Sequence, residues 1–278
     1  MGKRRLWARL AVVTGLLLVA SACAEEPTTD GTSPEGPAFQ TLQEGILRVG
    51  SCLDYKPFEF IEGGDQKGFD VDLTEAIAAE LGLEVEWVRT DFQGIFTAVA
   101  AGQFDMVAAA ATIKEKREQV VDFSDPYYNS RQSLAVNTQE TPDIASTSDI
   151  GEGHVVGVQQ ATTGLDWATE NLEPQGAQIK TYTSVTDAFR DLEAGRLTAI
   201  VNDEPSSQAI VEDLTGVEVV EGIDTGEHYG LAFSPDNPEL REAVNDALAT
   251  LIEDGTYAAI FGQYFPGVEV PPEFQPAA

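Results

Sequence analysis

Several residue types are scarce in this chain, and each scarcity excludes a class of function. Only 16 residues are Lys or Arg against 47 Asp or Glu, and the resulting formal charge of -31 excludes a general attraction to nucleic acid or anionic lipid. The two histidines, His154 and His228, lie far apart without cysteine or acidic residues at ligand spacing, so we expect neither a metal site nor a cofactor. The apolar run near the N-terminus, Leu10 to Ala22, is too short to cross a bilayer comfortably.

The N-terminus has the form of an export signal that ends at a lipid-modified cysteine. Basic residues precede the apolar run, and the small residues of "ASAC" lead directly into Cys23, as in a lipobox. We predict a lipoprotein signal peptide over residues 1–22 and a lipid anchor on Cys23, outside the cell membrane; ordinary signal-peptidase cleavage is the alternative. Residues 23–43 are rich in Pro, Thr, Gly and Glu, which predicts a flexible tether. With Cys23 lipidated, Cys52 has no disulfide partner, so packing must stabilise the exported domain.

From residue 46 onward, short β-rich runs alternate with amphipathic segments, which predicts an α/β fold. A first β-α-β-α-β series is followed by a second, so we predict two lobes, each a mostly parallel sheet covered by helices. Two amphipathic helices after residue 236 are expected to cover the first lobe again, which gives two crossings between the lobes and a hinge. The predicted boundaries are 44–133 plus 229–278 for lobe 1, 137–226 for lobe 2, and hinge strands near 133–137 and 227–233.

Ligands of open α/β sheets bind beyond the carboxyl ends of the strands, and polar or aromatic residues follow four predicted strand ends. These residues are Asp54, Tyr55 and Phe58, then Asp91 and Phe92, then Thr112 and Arg117, and finally Asp203. Thr112 is expected to begin a turn or short helix whose free N–H groups favour an anion, and Arg117 can bind a carboxylate through two parallel hydrogen bonds. Asp203, on the opposite lobe, suits an ammonium group. The set therefore matches a zwitterion, with Tyr55 or Phe92 covering its apolar part.

Each of these residues also has a purely structural interpretation. Arg117 lies among other charged residues and, taken alone, is typical of a solvated helix surface. Asp203 is placed to cap the helix that begins at "EPSSQAIVEDL". Tyr55 and Phe92 could be core aromatics. Their shared position after strand ends favours the site.

Six segments, in order along the chain from Leu47 to Phe265, carry a resemblance to a known family. They are "LRVGSCLDYKPFEF", "GFDVDLTEAIAAELG", "FDMVAAAATIKEKREQVVDFSDPYY", "VVGVQQATTG", "AIVNDEP" and "DGTYAAIFGQYF". Together they resemble the family 3 bacterial extracellular solute-binding proteins, the amino-acid receptors of ABC importers. The resemblance implies a two-lobed periplasmic-binding-protein fold of type II-like form, which closes over its ligand by hinge motion and docks on a membrane permease.

The resemblance also implies roles for individual residues. Arg117 would bind the ligand carboxylate with Thr112 as its hydroxyl partner, and Asp203 would bind the ammonium group. Tyr55 would cover the ligand, with Phe92 as a second wall. Main-chain contacts to the carboxylate would fall near Ala110, Thr162 and Thr163.

The group that recognises the ligand's side chain is less well defined. Cys52 stands where many members with polar or cationic ligands have an aspartate. Asp54 on the same strand, and the neutral Gln159 and Asn202, are the remaining candidates. We favour a polar uncharged amino acid such as glutamine and keep a cationic one as the alternative, because the domain is acidic.

Two other functions are compatible with this fold. A dehydratase of prephenate-like acids needs a general acid in the cleft, for which Asp54, Asp91 or Glu204 are candidates. A sensory lipoprotein would bind a ligand and signal to a partner other than a permease. A lipid anchor and a tether are less expected for a metabolic enzyme, so we predict a monomeric receptor that catalyses no reaction, with an amino acid and the permease subunits as partners.

Overall fold

The computed structural model describes residues 39–277, so the predicted signal peptide, Cys23 and residues 23–38 of the tether lie outside the described residues. The predicted end of the tether at residue 43 is too late in the chain. Phe39 is buried in the core, and the backbone N–H of Leu42 donates to Asp105 Oδ1 at 2.7 Å. The other oxygen of Asp105 accepts the N–H of Arg48 at 2.8 Å, so one carboxylate joins the chain before residue 44 to the first strand.

The secondary structure follows the predicted alternation of strands and helices. The strands are β1 (Ile46–Ser51), β2 (Asp54–Tyr55), β3 (Glu59–Glu62), β4 (Asp65–Lys67), β5 (Glu84–Arg89), β6 (Met106–Val107), β7 (Asp122–Phe123), β8 (Tyr128–Asn137), β9 (Val155–Gln159), β10 (Gln178–Tyr182), β11 (Ala199–Asp203), β12 (Val217–Tyr229) and β13 (Ala232–Phe233). The helices are α1 (Phe69–Glu80), α2 (Phe92–Ala100), α3 (Glu115–Glu118), α4 (Thr163–Asn171), α5 (Val185–Glu193), α6 (Glu204–Val211), α7 (Pro238–Glu253) and α8 (Thr256–Tyr264). None of these helices combines the length and apolar character that a membrane crossing requires.

Two five-stranded mixed sheets of the same construction form the two lobes. Their strand orders are β5-β1-β6-β13-β7 and β10-β9-β11-β8-β12. In each sheet three neighbouring strands are parallel, and the fourth is antiparallel to them. The helices that connect the parallel strands are α1 and α2 in the first lobe and α4 and α5 in the second. The predicted two-lobed α/β fold is therefore confirmed, with a small antiparallel sheet of β2, β3 and β4 that the sequence reading did not predict.

The hydrophobic pattern explains how the helices cover these sheets. Helix α1 buries Phe69, Leu73 and Ile77, which recur along one face at helical spacing. Gly82, with φ 70°, follows its last turn in the left-handed conformation that commonly ends a helix. Helices α7 and α8 pack on α1, so the C-terminal part of the chain covers the first lobe.

The lobes are joined by β8 and β12, which pair antiparallel between them. Tyr128 pairs with Tyr229 and Ser130 with Glu227 in this connecting segment. Residues 132–136 of β8 lie between β11 and β12 inside the second sheet. The predicted crossing at 133–137 is therefore too late in the chain, because residues 133–136 are paired on both sides within lobe 2.

Aromatic rings hold the connecting strands against the first lobe. The ring of Phe58 lies 5.0 Å from that of Tyr128 and 5.2 Å from that of Tyr229, centroid to centroid. Helix α8 and the residue that follows it add Phe261 and Phe265, whose centroids lie 6.1 Å and 5.0 Å from that of Tyr128. This packing holds β8 and β12 in place at the base of the space between the lobes.

Candidate ligand-binding site

The predicted site residues surround one cavity between the two sheets. The residues predicted to bind the ligand all line it: Tyr55, Phe92, Ala110, Thr112, Arg117, Thr162, Thr163 and Asp203. Of the side-chain candidates, Cys52, Asp54 and Gln159 line it and Asn202 does not. Glu59 and Ala109 also line the cavity, and the sequence reading missed both. A cavity lined by apolar side chains and a few charged groups suits a small polar ligand.

Arg117 is a buried cation rather than a solvated helix charge. The residue is only 8% exposed. Its guanidinium carbon lies 5.1 Å from the ring centroid of Phe92 and 4.8 Å from that of Phe96. Nη1 donates to the carbonyl of Thr112 at 2.7 Å, and Nη2 donates to the carbonyl of Ala161 on the other lobe at 3.2 Å. Burial lowers the pKa of Arg117 to about 10, so the group stays charged at neutral pH. It forms no salt bridge within residues 39–277, which leaves it able to bind a ligand carboxylate.

The helix start predicted at Thr112 is wrong, because α3 begins at Glu115 and contains only 4 residues. Thr112 instead pairs with Tyr229 of the connecting strand, and the N–H of Ile113 donates to the carbonyl of His228 at 2.8 Å. These contacts hold the backbone extended at Thr112. Free helix N–H groups therefore do not bind an anion at this position.

The N–H of Ala110 is also not free for the ligand. It donates to Asp70 Oδ2 at 2.8 Å, and the same carboxylate accepts the hydroxyl of Tyr127 at 2.9 Å. Ala110 itself has φ 45°, a left-handed conformation that is uncommon for alanine. The main-chain contact predicted near Ala110 stays a prediction, and the Ala110 N–H is not the group that would make it.

Asp203 receives hydrogen bonds from both lobes and does not cap a helix through its side chain. Its Oδ2 accepts the hydroxyls of Tyr55 at 2.9 Å and Tyr229 at 2.6 Å, and its Oδ1 accepts Nε2 of Gln132. Burial first, and the neighbouring charge of Glu227 second, raise the pKa of Asp203 to about 6. An ammonium group would stabilise the ionised form of this carboxylate.

Glu59 adds a buried carboxyl group to the lining of the cavity. Glu59 is fully buried, and neither of its carboxylate oxygens has a hydrogen-bond partner among the residues described. Burial, and then the charges of Asp70 and Asp54, raise the pKa of Glu59 well above its usual value. A lone acidic residue inside the apolar run "PFEFI" was the available sequence signal, since such a residue is rarely buried without a partner.

Cys52 and Asp54 lie beside Glu59 on the same wall of the cavity. Burial and the charge of Glu59 raise the pKa of the Cys52 thiol well above its usual value, so the thiol is neutral. Burial also raises the pKa of Asp54, whose Oδ2 accepts the hydroxyl of Ser184 from the opposite lobe at 2.9 Å. Asp54 therefore contacts both the cavity and the second lobe.

The remaining predicted residues support the cavity wall. Thr162 caps α4 by accepting the N–H of Leu165 at 3.2 Å. Gln159 donates to the carbonyl of Thr183 at 3.0 Å. The Oδ1 of Asn202 lies 3.0 Å from the Tyr55 hydroxyl, so Asn202 supports that ring from outside the cavity.

Two of the three candidates for a general acid lie outside the cavity lining. Asp91 is exposed at the N-terminus of α2. Glu204 forms an ion pair with Arg131, with Nη2 2.7 Å from Oε1. Within residues 39–277, no group of three or more His, Cys, Asp or Glu side chains is placed to hold a metal ion.

Comparison with known proteins identifies the family of this chain. The model of the bacterial extracellular solute-binding proteins, family 3, matches residues 47–267. The probable histidine-binding protein of Campylobacter jejuni is 32% identical over 264 residues, which cover 94% of this chain and 98% of that protein. The lysine/arginine/ornithine-binding periplasmic protein of Escherichia coli is 30% identical over 244 residues, covering 84% and 93%. The structure of an ancestral arginine-binding protein bound to arginine is 38% identical with a TM-score of 0.76, covering 80% of this chain and 98% of that one. The chain belongs to the bacterial extracellular solute-binding proteins of family 3.

Proposed function

We propose that this protein is the extracytoplasmic substrate-binding receptor of an amino-acid ABC importer. The observation that carries the proposal is that a buried cation without a salt bridge among the described residues, Arg117, and a buried carboxyl group, Asp203, line one cavity between the lobes. The ligand carboxylate binds Arg117 and the α-ammonium group binds Asp203, while the rings of Tyr55 and Phe92 enclose the ligand. Amino-acid-binding relatives of family 3 support this reading.

The rest of the receptor's working cycle follows from the two-lobed fold. The lobes open and close about β8 and β12, and the closed, loaded form is delivered to a membrane permease. Lipidation of Cys23 holds the monomer at the outer face of the membrane, with the residues before Phe39 as the tether. No chemical step is required of the site.

We propose a cationic amino acid as the ligand, in place of the glutamine-like one that Cys52 favoured. Glu59 supplies the carboxylate that the cysteine lacks, and Asp54 lies on the same wall. A guanidinium or ammonium side chain would provide hydrogen-bond donors for the oxygens of Glu59 and stabilise its ionised form. The relatives that bind lysine, arginine and ornithine, or arginine, agree with this class.

The test is a thermal-shift screen of the mature domain, unfolded and refolded to remove bound ligand, against the twenty amino acids. A thousandfold excess over Kd stabilises by about 4 kcal/mol, so L-arginine or L-lysine should raise the midpoint by several degrees. A flat screen with folded protein would overturn the receptor proposal, and a response to L-glutamine alone would overturn the cationic ligand.

Arg117→Ala tests the carboxylate assignment by calorimetry. Removing this partner from a buried ligand carboxylate should cost about 2 to 5 kcal/mol of binding free energy. Lys116→Ala is the matched control, because Lys116 is the exposed neighbour on the same short helix. Undiminished affinity of Arg117→Ala for the best ligand of the screen would show that the carboxylate binds elsewhere.

A further inference from the structure

A second buried carboxylate, Glu227, lies where β12 crosses between the lobes. It is 7% exposed and receives hydrogen bonds from both lobes. Its Oε2 accepts the hydroxyl of Thr112 from lobe 1 at 2.7 Å and that of Thr163 from lobe 2 at 2.8 Å. Its Oε1 accepts Nε2 of Gln132 and the hydroxyl of Thr225, each at 2.9 Å. Sequence reading gave no reason to single out Glu227, because its partners meet only in the folded protein.

These contacts fix where the hydroxyl hydrogens of the two threonines point. A hydroxyl has one hydrogen, and an ionised carboxylate can only accept hydrogen bonds. The hydrogens of Thr112 and Thr163 are therefore committed to Glu227, and both hydroxyls can present only lone pairs to the cavity that they line.

Asp203 lines the same cavity as Thr112 and Thr163, and these three residues form what we call the acceptor wall. The amide nitrogen of Gln132 contacts the carboxylates of both Asp203 and Glu227, and the hydroxyls of Tyr55 and Tyr229 donate to Asp203. The hydroxyl hydrogens of Thr112, Thr163 and Tyr229 point at carboxylates, and that of Tyr55 is within reach of both Asp203 Oδ2 and Asn202 Oδ1. Gln132 Nε2 also lies 3.2 Å from Thr163 Oγ1, where the threonine again accepts. The side chains of Thr112, Thr163 and Asp203 thus offer the cavity hydrogen-bond acceptors and no donors.

We propose that Glu227 is a positioning residue that makes this wall an acceptor-only surface, so that the site selects an α-ammonium group over an α-hydroxyl or α-keto group. The inference rests on the proposed amino-acid-binding function. An ammonium group brings three hydrogens to these acceptors, whereas a hydroxyl brings one and a keto oxygen brings none. The deaminated analogue leaves buried acceptors unpaired, which is the situation in which a polar site discriminates most strongly. Thr112 accordingly accepts from the ammonium group and is not a hydrogen-bond donor to the carboxylate.

The test compares two ligands that differ only at the α position. Calorimetry measures the affinities of L-arginine and of its α-hydroxy analogue, 5-guanidino-2-hydroxypentanoate, for the wild type and for Glu227→Gln. The wild type should prefer L-arginine by at least about a hundredfold. In Glu227→Gln, the amide can donate to a threonine hydroxyl and free that hydroxyl to donate in turn. L-Arginine should then bind at least about tenfold more weakly while the hydroxy acid is little affected, so the preference falls about tenfold or more.

A purely structural role for Glu227 would weaken both ligands in the same proportion, and an unchanged preference would overturn the inference. Asp224→Asn is the control, since Asp224 is exposed on the same strand and its loss removes one nearby negative charge. Its preference should match that of the wild type.

A second variant covers the case in which Glu227→Gln does not fold. Thr112→Val keeps Glu227 and the size of the side chain but removes one acceptor, so the same fall in preference is expected. An unchanged preference in Thr112→Val would overturn the inference by itself. If the wild type bound none of L-arginine, L-lysine, L-histidine and L-glutamine, the proposed function would fail first and this inference with it.

Discussion

Glu59 is the residue on which the proposal of a cationic ligand rests. Its carboxyl group is fully buried without a hydrogen-bond partner among residues 39–277, and burial raises its pKa well above the usual range. An ionised carboxylate in such a position is costly unless a cation accompanies it. A cationic side chain from the ligand would supply both the charge and the missing donors, which explains why an isolated acid is tolerated in this cavity.

Glu59→Gln should therefore change selectivity more than it changes folding. With the acid replaced by a neutral amide of the same size, binding of L-arginine should weaken by about 2 kcal/mol or more, since its buried charge partner is lost. Binding of L-glutamine, measured by calorimetry beside it, should change much less. Glu62→Gln, an exposed position on the same strand, serves as the control. Equal losses for L-arginine and L-glutamine would contradict the role given to Glu59.

The predicted site residues that line the cavity are those whose position follows from local sequence. Arg117 and Asp203 come after recognisable strands, and the carboxyl ends of parallel strands converge at one edge of a sheet. Glu59, Gln132 and Glu227 were missed for a different reason. Glu59 lies within a hairpin strand, and the other two become significant only when the lobes meet, which no local pattern encodes.

At the scale of elements, hydrophobic periodicity predicted the helices and strands of both lobes because each buries a regular face. It misplaced the first crossing, because β8 continues as one strand of ten residues from the connecting segment into the second sheet. Its composition does not change where its pairing partner changes from β12 alone to β11 and β12. The small sheet of β2, β3 and β4 was missed because its last strand, "DQK", is polar and short.

The entry to α1 depends on a close approach that only glycine permits. Gly68 has φ 130°, and a Cβ at this position would lie 2.0 Å from the carbonyl oxygen of Phe58 and 2.8 Å from the nitrogen of Glu59. Gly64, in the same hairpin, has φ 99° but nothing within 4 Å of the corresponding position. Comparing substitutions at Gly68 and Gly64 therefore separates two effects of an added side chain on stability, the unfavourable backbone conformation and the steric clash.

Gly68→Ala should lower the free energy of unfolding by about 3 kcal/mol or more, since both conformation and contact are incompatible with a side chain. Gly64→Ala should cost only about 1 kcal/mol, from its conformation alone. Urea denaturation of both variants measures the difference. We also expect Gly68→Ala to weaken L-arginine binding, because the backbone of Glu59 must move. Similar losses of stability in the two variants would contradict the close-approach argument.

At the scale of the whole molecule, the closed conformation depends on contacts between the lobes that are buried or partly buried. The Tyr55 hydroxyl reaches Asp203, the Arg117 guanidinium reaches the Ala161 carbonyl, and Ser184 donates to Asp54, each from one lobe to the other. The ion pair of Lys56 with Asp213 is exposed, and such surface pairs contribute little. The contacts around the cavity therefore decide whether the lobes close. They include the carboxyl groups of Asp203 and Asp54, whose ionised forms a bound cationic group would stabilise.

Two buried carboxyl groups, Asp70 and Asp203, make the free energy of unfolding of the ligand-free protein depend on pH. Burial raises the pKa of Asp70 and of Asp203 to about 6, from a usual value of 3.8. Between pH 3.8 and about pH 6, the two carboxyl groups of the folded protein keep protons that the unfolded chain has already released. The corresponding stability is fully present below about pH 4 and is lost as the pH rises through about 6. The large negative charge of the chain acts in the same direction, since acid reduces its self-repulsion.

The free energy of unfolding of the ligand-free protein should therefore fall by a few kcal/mol, as an order of magnitude, between about pH 4 and pH 7. Urea denaturation at a series of pH values measures this slope. Asp70→Asn should flatten it, because asparagine is neutral throughout and can still accept the Ala110 N–H through its oxygen. Asp65→Asn, at an exposed position, should keep the wild-type slope. A stability that rises over this range, or an unchanged slope in Asp70→Asn, would mean that these buried groups ionise like exposed ones.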